Sequence, residues 1–116
     1  MSSPLAERKC VRCEPGTPPL DGPAIEQLLT QVPGWTVEEV ASHPVLSRRF
    51  KFKGFMPGVE LVNRIAAIAE EEGHHPDLQL GWGYLTVQLW THAAGGLTDN
   101  DFILAAKVEK DQSSNS

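Results

Sequence analysis

Apolar and polar positions recur along the chain with two periods, and the changes between them predict seven elements. Apolar residues three or four positions apart predict helices over about 23–31 and 55–72. A capping box that begins at Thr98 predicts a third helix, which ends near Lys110. Strict alternation predicts strands, and it is clearest over 46–53, where aromatic residues face inward and basic residues face outward.

The predicted strands form two hairpins. The first joins a strand that begins at Trp35 to strand 46–53 through a loop at 41–44. The second joins two alternating stretches between 78 and 90 through a glycine-rich turn. The order α-β-β-α-β-β-α therefore predicts an α+β fold, with a four-stranded antiparallel sheet and helices packed on one face.

The chain divides into three parts. Residues 1–20 carry prolines and a glycine that oppose regular structure, which predicts an extended N-terminal arm. Residues 21–110 form the predicted domain, and residues 111–116 are a predicted flexible tail. The arm contains Cys10 and Cys13. This pair supplies only two ligands, whereas structural zinc normally needs four. A surface arm without chemistry is the favoured interpretation, and a metal shared between subunits or with a histidine is the alternative.

Composition narrows the classes of protein. The length of 116 residues suits one domain. Hydrophobic residues make up 41% of the chain and charged residues 22%, and both fractions are ordinary for a globular protein. No apolar run approaches the roughly 18 residues of a membrane span. The N-terminus has no apolar signal core, so we expect a cytoplasmic protein without membrane attachment. The net charge of −5 gives no general attraction for nucleic acid.

Two adjacent histidines, His74 and His75, follow the end of the long predicted helix. Gly73 is suited to cap this helix, and Pro76 stops it. Imidazole exchanges protons near neutral pH, so the pair is a candidate for acid–base catalysis or metal binding. The other interpretation is structural, with a charged imidazole at the negative end of the helix dipole. Metal is disfavoured because the chain lacks both the His-x-x-x-His helix spacing and a cysteine cluster.

His92 gives the pair a partner. It follows a predicted strand and precedes a glycine-rich loop, where backbone can approach a ligand closely. If its strand pairs with the strand after His75, all three imidazoles lie near one sheet edge and line one cleft. Glu70 lies one turn before His74, on the same helix face, and is within reach of an imidazole.

The sequence leaves the roles of three further residues open and predicts no role for a fourth. Asp101 is predicted to cap its helix and is also a candidate acid facing the site. Trp82 and Trp90 suit a core or an interface, and they would also suit the walls of a site for a planar aromatic substrate. His43, in the predicted loop beside a proline, is predicted to have no role.

The same residues carry a family resemblance. The chain is similar to the pterin-4a-carbinolamine dehydratases in Glu70-x-x-x-His74-His75-Pro76, Trp82, Thr91-His92 and Gly95-Gly96-Leu97-Thr98-x-x-Asp101. The resemblance covers about residues 20–110, and the arm with its Cys-x-x-Cys pair resembles the bacterial and plastid-type branch. Gly73 and Leu78 differ from many animal members, which have an acid and a tryptophan there. These differences concern the positioning of substrate.

The resemblance implies an enzyme with the predicted fold. The implied reaction removes water from 4a-hydroxytetrahydrobiopterin to give the quinonoid dihydropterin, in tetrahydrobiopterin recycling, and needs no metal or organic cofactor. Homodimers or homotetramers are implied. By resemblance, His74 and His92 are the acid and base in either order, and His75 positions the pterin. The substrate-binding residues that it implies are Glu70, Gly73, Trp90, Thr91, Ala93 and Asp101.

The resemblance also implies an alternative function. Proteins of this fold include a dimerisation cofactor of a homeodomain transcription factor, and dehydratase-like proteins that act in assembly of ribulose bisphosphate carboxylase. An interaction protein with a protein partner, and without direct DNA binding, is therefore the second interpretation. The presence of all three histidines favours the enzyme.

Overall fold

The fold has the predicted order of elements. A computed structural model describes residues 4–11 and 14–114. The helices are α1 (Gly22–Leu29), α2 (Met56–Glu72) and α3 (Asp99–Ser114), with short 3-10 helices at Pro4–Glu7 and His92–Ala94. The strands are β1 (Thr36–Val40), β2 (His43–Lys51), β3 (Asp77–Gly81) and β4 (Tyr84–Leu89).

The four strands form one antiparallel sheet in the order β1-β2-β4-β3. Each predicted hairpin is confirmed, and the pairing of β2 with β4 joins the two hairpins at the centre of the sheet. On one face, Leu46 lies opposite Leu89 and Phe50 opposite Leu85, and all four side chains belong to the core that the helices share. The α+β fold with helices on one face is therefore confirmed.

The turn of the first hairpin is shorter than the sequence predicts. Strand β2 begins at His43, so the prediction of a loop over 41–44 is wrong for His43 and Pro44. The turn consists of Ala41 and Ser42, whose φ angles are 51° and 71°. Positive φ at both central residues matches the twist of a tight hairpin, but this turn usually contains glycine or asparagine. The sequence therefore lacked the usual signal for it.

Helix α3 is the most deeply buried helix. Every residue over 100–106 is buried, because the sheet, α2 and the N-terminal segment cover this helix from several sides. The helix continues to Ser114, so the prediction of a flexible tail is wrong for 111–114, and residues 115–116 lie outside the described residues. The Arg64 side chain of α2 donates hydrogen bonds to Asp111 (2.8 Å) and Gln112 (3.1 Å), which holds the last turns of α3 in place.

The N-terminal arm packs onto the domain. Residues 4–7 form a 3-10 helix, so the prediction of an extended arm is wrong for this part. Leu5 is 2% exposed and joins the main core beside α3. The Lys107 side chain of α3 donates a hydrogen bond of 3.0 Å to the carbonyl of Ala6. An isolated short apolar stretch carries no periodic signal, and for this reason the sequence did not reveal the contact.

The inner face of the sheet includes a charged residue of β2, Arg48. Alternation along β2 directs Arg48 toward the helices, where it forms an ion pair with Glu109 of α3. The same Glu109 oxygen accepts a hydrogen bond of 2.8 Å from the Trp35 indole. The partly buried guanidinium thus has a carboxylate partner, which offsets its desolvation.

We expect Leu5→Ala to lower the free energy of unfolding by about 2–4 kcal/mol, because it removes a buried side chain from the core. Urea unfolding followed by circular dichroism measures this value. The exposed neighbour Glu7 provides a matched control, and Glu7→Ala should change stability by less than about 0.5 kcal/mol. Equal effects of the two substitutions would show that the arm does not pack as described.

Candidate active site

The end of α2 directs two histidines away from the helix. Gly73 adopts the left-handed conformation with φ of 68°, and its amide bonds to the carbonyl of Ala69 at 2.8 Å. The predicted glycine cap is thereby confirmed. Two residues and Pro76 separate this cap from the start of β3. The chain turns sharply here, so His74 and His75 point in different directions from the helix end.

His74 contacts a buried carboxylate. Its Nε2 atom lies 2.6 Å from Oδ1 of Asp101, which is 0% exposed. The other carboxylate oxygen accepts hydrogen bonds of 2.9 Å from the Thr91 hydroxyl and from the Thr98 backbone amide. Asp101 therefore caps α3, as predicted, and it contacts the site through His74, because the carboxylate itself is buried.

Only half of the predicted capping box forms at the start of α3. The Thr98 amide donates to Asp101, but the Thr98 hydroxyl lies 2.8 Å from the hydroxyl of Thr91. Because the single Thr91 hydroxyl proton is donated to Asp101, the Thr98 hydroxyl must donate to Thr91. These contacts fix the orientation of the carboxylate that faces His74.

His75 has a different carboxylate partner. Its Nε2 atom lies 2.5 Å from Oε2 of Glu70, and both side chains are largely exposed. The sequence placed Glu70 on the helix face of His74, but the left-handed turn at Gly73 moves His74 away toward Asp101. The cap therefore determines which imidazole each carboxylate contacts.

His92 approaches the same region from the end of β4. Strand β4 pairs with β3, as the hypothesis of a shared cleft required. A bridge between Thr91 and Gly96 closes the loop that carries His92. The imidazole stacks on the indole of Trp90, with ring centroids 3.8 Å apart and planes 25° apart.

The three histidines line one cleft of about 610 Å³. The complete lining is Val11, Glu72, Gly73, His74, His75, Trp90, Thr91, His92, Ala93 and Asn100. Glu70 and Asp101 do not line it, but each contacts one of its histidines. Trp82 lies in the turn between β3 and β4 and is 74% exposed, so it is not part of the core. It also does not line this cleft.

The sequence did not predict three of the lining residues, Val11, Glu72 and Asn100, all of which are involved in contacts with the N-terminal arm. The backbone amide of Cys10 donates a hydrogen bond of 2.8 Å to Glu72. The Val11 amide donates to the Asn100 side chain at 3.0 Å, and that side chain donates back to the Val11 carbonyl at 2.6 Å. The arm thus forms one wall of the cleft. Its contacts join residues 62 and 89 positions apart, which no local pattern encodes.

Two groups beside this wall have shifted pKa values. Burial opposes the charge of Glu72, but the hydrogen bond from the Cys10 amide and the nearby Lys107 outweigh it, so the pKa of Glu72 lies below its usual value. Burial and the charge of Glu72 raise the pKa of the Cys10 thiol to about 12. The Cys10 thiol donates a weak hydrogen bond of 3.6 Å to the Asn100 carbonyl, and it remains a free cysteine.

Two further observations bear on the predicted class of protein. Within residues 4–11 and 14–114, no three or more histidine, cysteine, aspartate or glutamate side chains are grouped so that they could hold a metal ion. Cys13 lies outside these ranges, so the alternative of a metal at the Cys-x-x-Cys pair stays a prediction. None of the helices in the same ranges is both long and apolar enough to cross a membrane.

The fold and cleft define a class of small α+β proteins with histidines at the end of a four-stranded sheet. The family model of pterin 4 alpha carbinolamine dehydratase matches residues 18–110, and the chain belongs to this family. A provisionally named pterin-4-alpha-carbinolamine dehydratase from Rickettsia canadensis is 47% identical over 106 residues, 90% of this chain and 94% of the relative. One from Rubrobacter xylanophilus is 45% identical over 108 residues, 93% of this chain and 98% of the relative.

Two solved structures share the fold. A transcriptional coactivator/pterin dehydratase from Brucella melitensis has a TM-score of 0.71 and 28% identity, with 79% of this chain and 96% of that chain covered. A pterin dehydratase-like protein identified as a RuBisCO assembly factor in the alpha-carboxysome has a TM-score of 0.55 and 27% identity. The matched region covers 66% of this chain and 87% of the chain of that relative. The relatives thus include proteins with enzymatic and with assembly functions in their names.

We expect Glu72→Gln to destabilise the protein by about 1–2 kcal/mol at neutral pH, because Glu72 accepts a hydrogen bond from the arm as a charged group. Its pKa is lower in the folded than in the unfolded state, so the carboxylate stabilises the fold above the unfolded-state pKa. This contribution is lost as the pH falls through the folded-state pKa.

Urea unfolding of wild type and Glu72→Gln at several pH values between about 7 and 3 tests this sign. The difference between the two proteins should shrink as the pH falls. Glu71→Gln is the matched control, since Glu71 is exposed on the same helix turn. A difference that stays constant with pH would contradict the assigned role of the carboxylate.

The raised pKa of Cys10 predicts an unreactive thiol. In a Cys13→Ser variant, the thiolate fraction of Cys10 near pH 8 should be roughly 10³-fold below that of an ordinary cysteine. Reaction with a thiol-specific reagent should therefore be slow in the folded protein and fast in urea. Equal rates in both conditions would mean that Cys10 is not buried against Glu72.

Proposed function

We propose that the protein dehydrates a 4a-hydroxytetrahydropterin to the quinonoid dihydropterin, with histidines as acid and base. The observation that carries the proposal is the convergence of His74, His75 and His92 on one cleft, in a chain of the dehydratase family. A volume of about 610 Å³ lies in the usual range for small-molecule sites and suits a bicyclic pterin. The pathway that we assign to this activity is recycling of tetrahydrobiopterin.

Elimination of water requires two proton transfers. The departing 4a-hydroxyl must gain a proton, and a ring nitrogen of the pterin must lose one. Two imidazoles on different sides of a bound pterin supply both steps when each can reach its atom. The separate origins of His74, after α2, and His92, after β4, support this arrangement.

The hydrogen bonds suggest how the two imidazoles differ. Asp101 contacts Nε2 of His74, which orients this ring and leaves Nδ1 as the nitrogen for proton exchange. No described residue forms a hydrogen bond with the His92 ring, so both of its nitrogens are available to substrate. We therefore propose His74 and His92 as the proton-transfer residues.

The remaining cleft residues have binding roles in this proposal. His75 with its partner Glu70 lies at the exposed side, where it can position the polar edge of the pterin. Gly73, Thr91 and Ala93 line the cleft and can contact the ligand through backbone groups. Val11 of the arm and Asn100 of α3, which are joined by hydrogen bonds, complete the lining of the cleft.

We expect His74→Ala and His92→Ala each to lower kcat by about 10²–10⁴, because each removes one proton-transfer group. His75→Ala should raise KM more than it lowers kcat. Stopped-flow absorbance with freshly generated 4a-hydroxytetrahydropterin measures the rates, and Asp77→Asn, an exposed residue of β3, is the control. Full activity in the His74→Ala/His92→Ala double variant would exclude the proposed mechanism.

A second candidate function is that of an interaction protein, and the solved relative identified as a RuBisCO assembly factor supports it. Association of the chain with itself through the outer strands β1 and β3 is part of either proposal, because each forms an edge of the sheet. Light scattering would measure the oligomer. A wild-type protein without dehydratase activity that retains a large partner from its native cell would favour the second function.

A further inference from the structure

We infer that His43 and Trp90 are positioning residues for His92, and that they act by holding its ring in a three-ring stack. The inference rests on the proposed function, in which His92 transfers a proton. His43 was predicted to have no role, since it appeared to lie in a loop. In the structure it is the first residue of β2 and lies beside the end of β4.

The geometry of the stack is nearly parallel throughout. The His43 and Trp90 ring centroids are 3.7 Å apart with planes at 22°. On the other face of the indole, the His92 ring lies 3.8 Å away with planes at 25°. Both faces of the indole are thus covered by imidazoles, in the order His43, Trp90, His92.

The backbone explains why these rings meet. Thr91 has an extended conformation with φ of −108° and ψ of 108°, so Trp90 and His92 project to the same side of the chain. The register of β2 with β4 places Leu46 opposite Leu89 and brings the start of β2 to the end of β4. A Cβ atom added at Gly96 would lie 3.6 Å from the Pro44 ring, an ordinary contact distance, so the loop that carries His92 lies directly against the start of β2.

The stack has two consequences for the site. Trp90 lines the cleft, but a planar pterin cannot stack on its indole because both indole faces are occupied. The ring plane of His92 is fixed although the residue itself is exposed and its ring makes no hydrogen bond to a described residue. A substrate therefore meets an imidazole that is already oriented, which lowers the entropic cost of proton transfer.

The test compares two variants of His43 with a control variant in the adjacent turn. His43→Ala removes one ring of the stack, and His43→Phe retains a flat ring of similar size without the imidazole nitrogens. Ser42→Gly is the matched control, since it changes the adjacent turn at a residue with φ of 71°, a conformation that glycine adopts readily. Urea unfolding confirms that all three fold.

We expect His43→Ala to lower kcat about tenfold with little change in KM, because misorientation of a reacting group affects the chemical step more than binding. His43→Phe should restore most of the loss, and Ser42→Gly should match wild type. Unchanged kcat in His43→Ala, or equal losses in the Ala and Phe variants, would overturn the inference.

A second measurement does not depend on activity. The ring protons of His92 lie in the shielding region of the indole, so their NMR resonances should be shifted upfield in wild type and should move in His43→Ala but not in Ser42→Gly. Identical His92 resonances in wild type and His43→Ala would also overturn the inference. A wild type that lacks dehydratase activity but shows the expected resonance changes would refute the proposed function and leave the positioning role supported.

Discussion

The buried carboxylate of Asp101 is the interaction on which the fold and the cleft both depend. It contacts groups that arrive from three directions: His74 after α2, Thr91 after β4 and Thr98 at the start of α3. A buried carboxylate with fewer partners would cost about 1–3 kcal/mol for each missing hydrogen bond, or more. The requirement to satisfy this one group therefore fixes the distance between the helix end that carries the histidine pair and the strand end that carries His92.

The two histidine–carboxylate pairs of the cleft differ in their physical settings. The pair between His75 and Glu70 is exposed, and exposed pairs contribute little and are screened by salt. The pair between His74 and Asp101 is shielded, with the aspartate fully buried, so it restrains its ring far more strongly. His92 is restrained without any carboxylate, by stacking on Trp90. The three imidazoles are thus chemically identical but occupy three different environments within a single cleft.

Much of the fold could be predicted from the sequence, because local patterns encode it. Alternation identified the strands, and the position of Gly73 identified the end of α2, where backbone geometry alone requires a left-handed residue. The contacts of Leu5, Asn100 and His43 could not be predicted, since each joins segments that are distant in sequence and lack a repeating pattern. The partner of Glu70 was also not predictable from helical spacing, because the cap at Gly73 redirects the chain after the last turn.

The state of His74 tests the central claim that Asp101 couples the fold to the cleft. If the carboxylate accepts a hydrogen bond from Nε2, the neutral ring must carry its proton on Nε2 and leave Nδ1 free. Long-range ¹H–¹⁵N correlation of the histidine rings in wild type, at a pH where the ring is neutral, distinguishes the two tautomers. We predict the Nε2-protonated tautomer for His74, and a ring protonated on Nδ1 would contradict the claim.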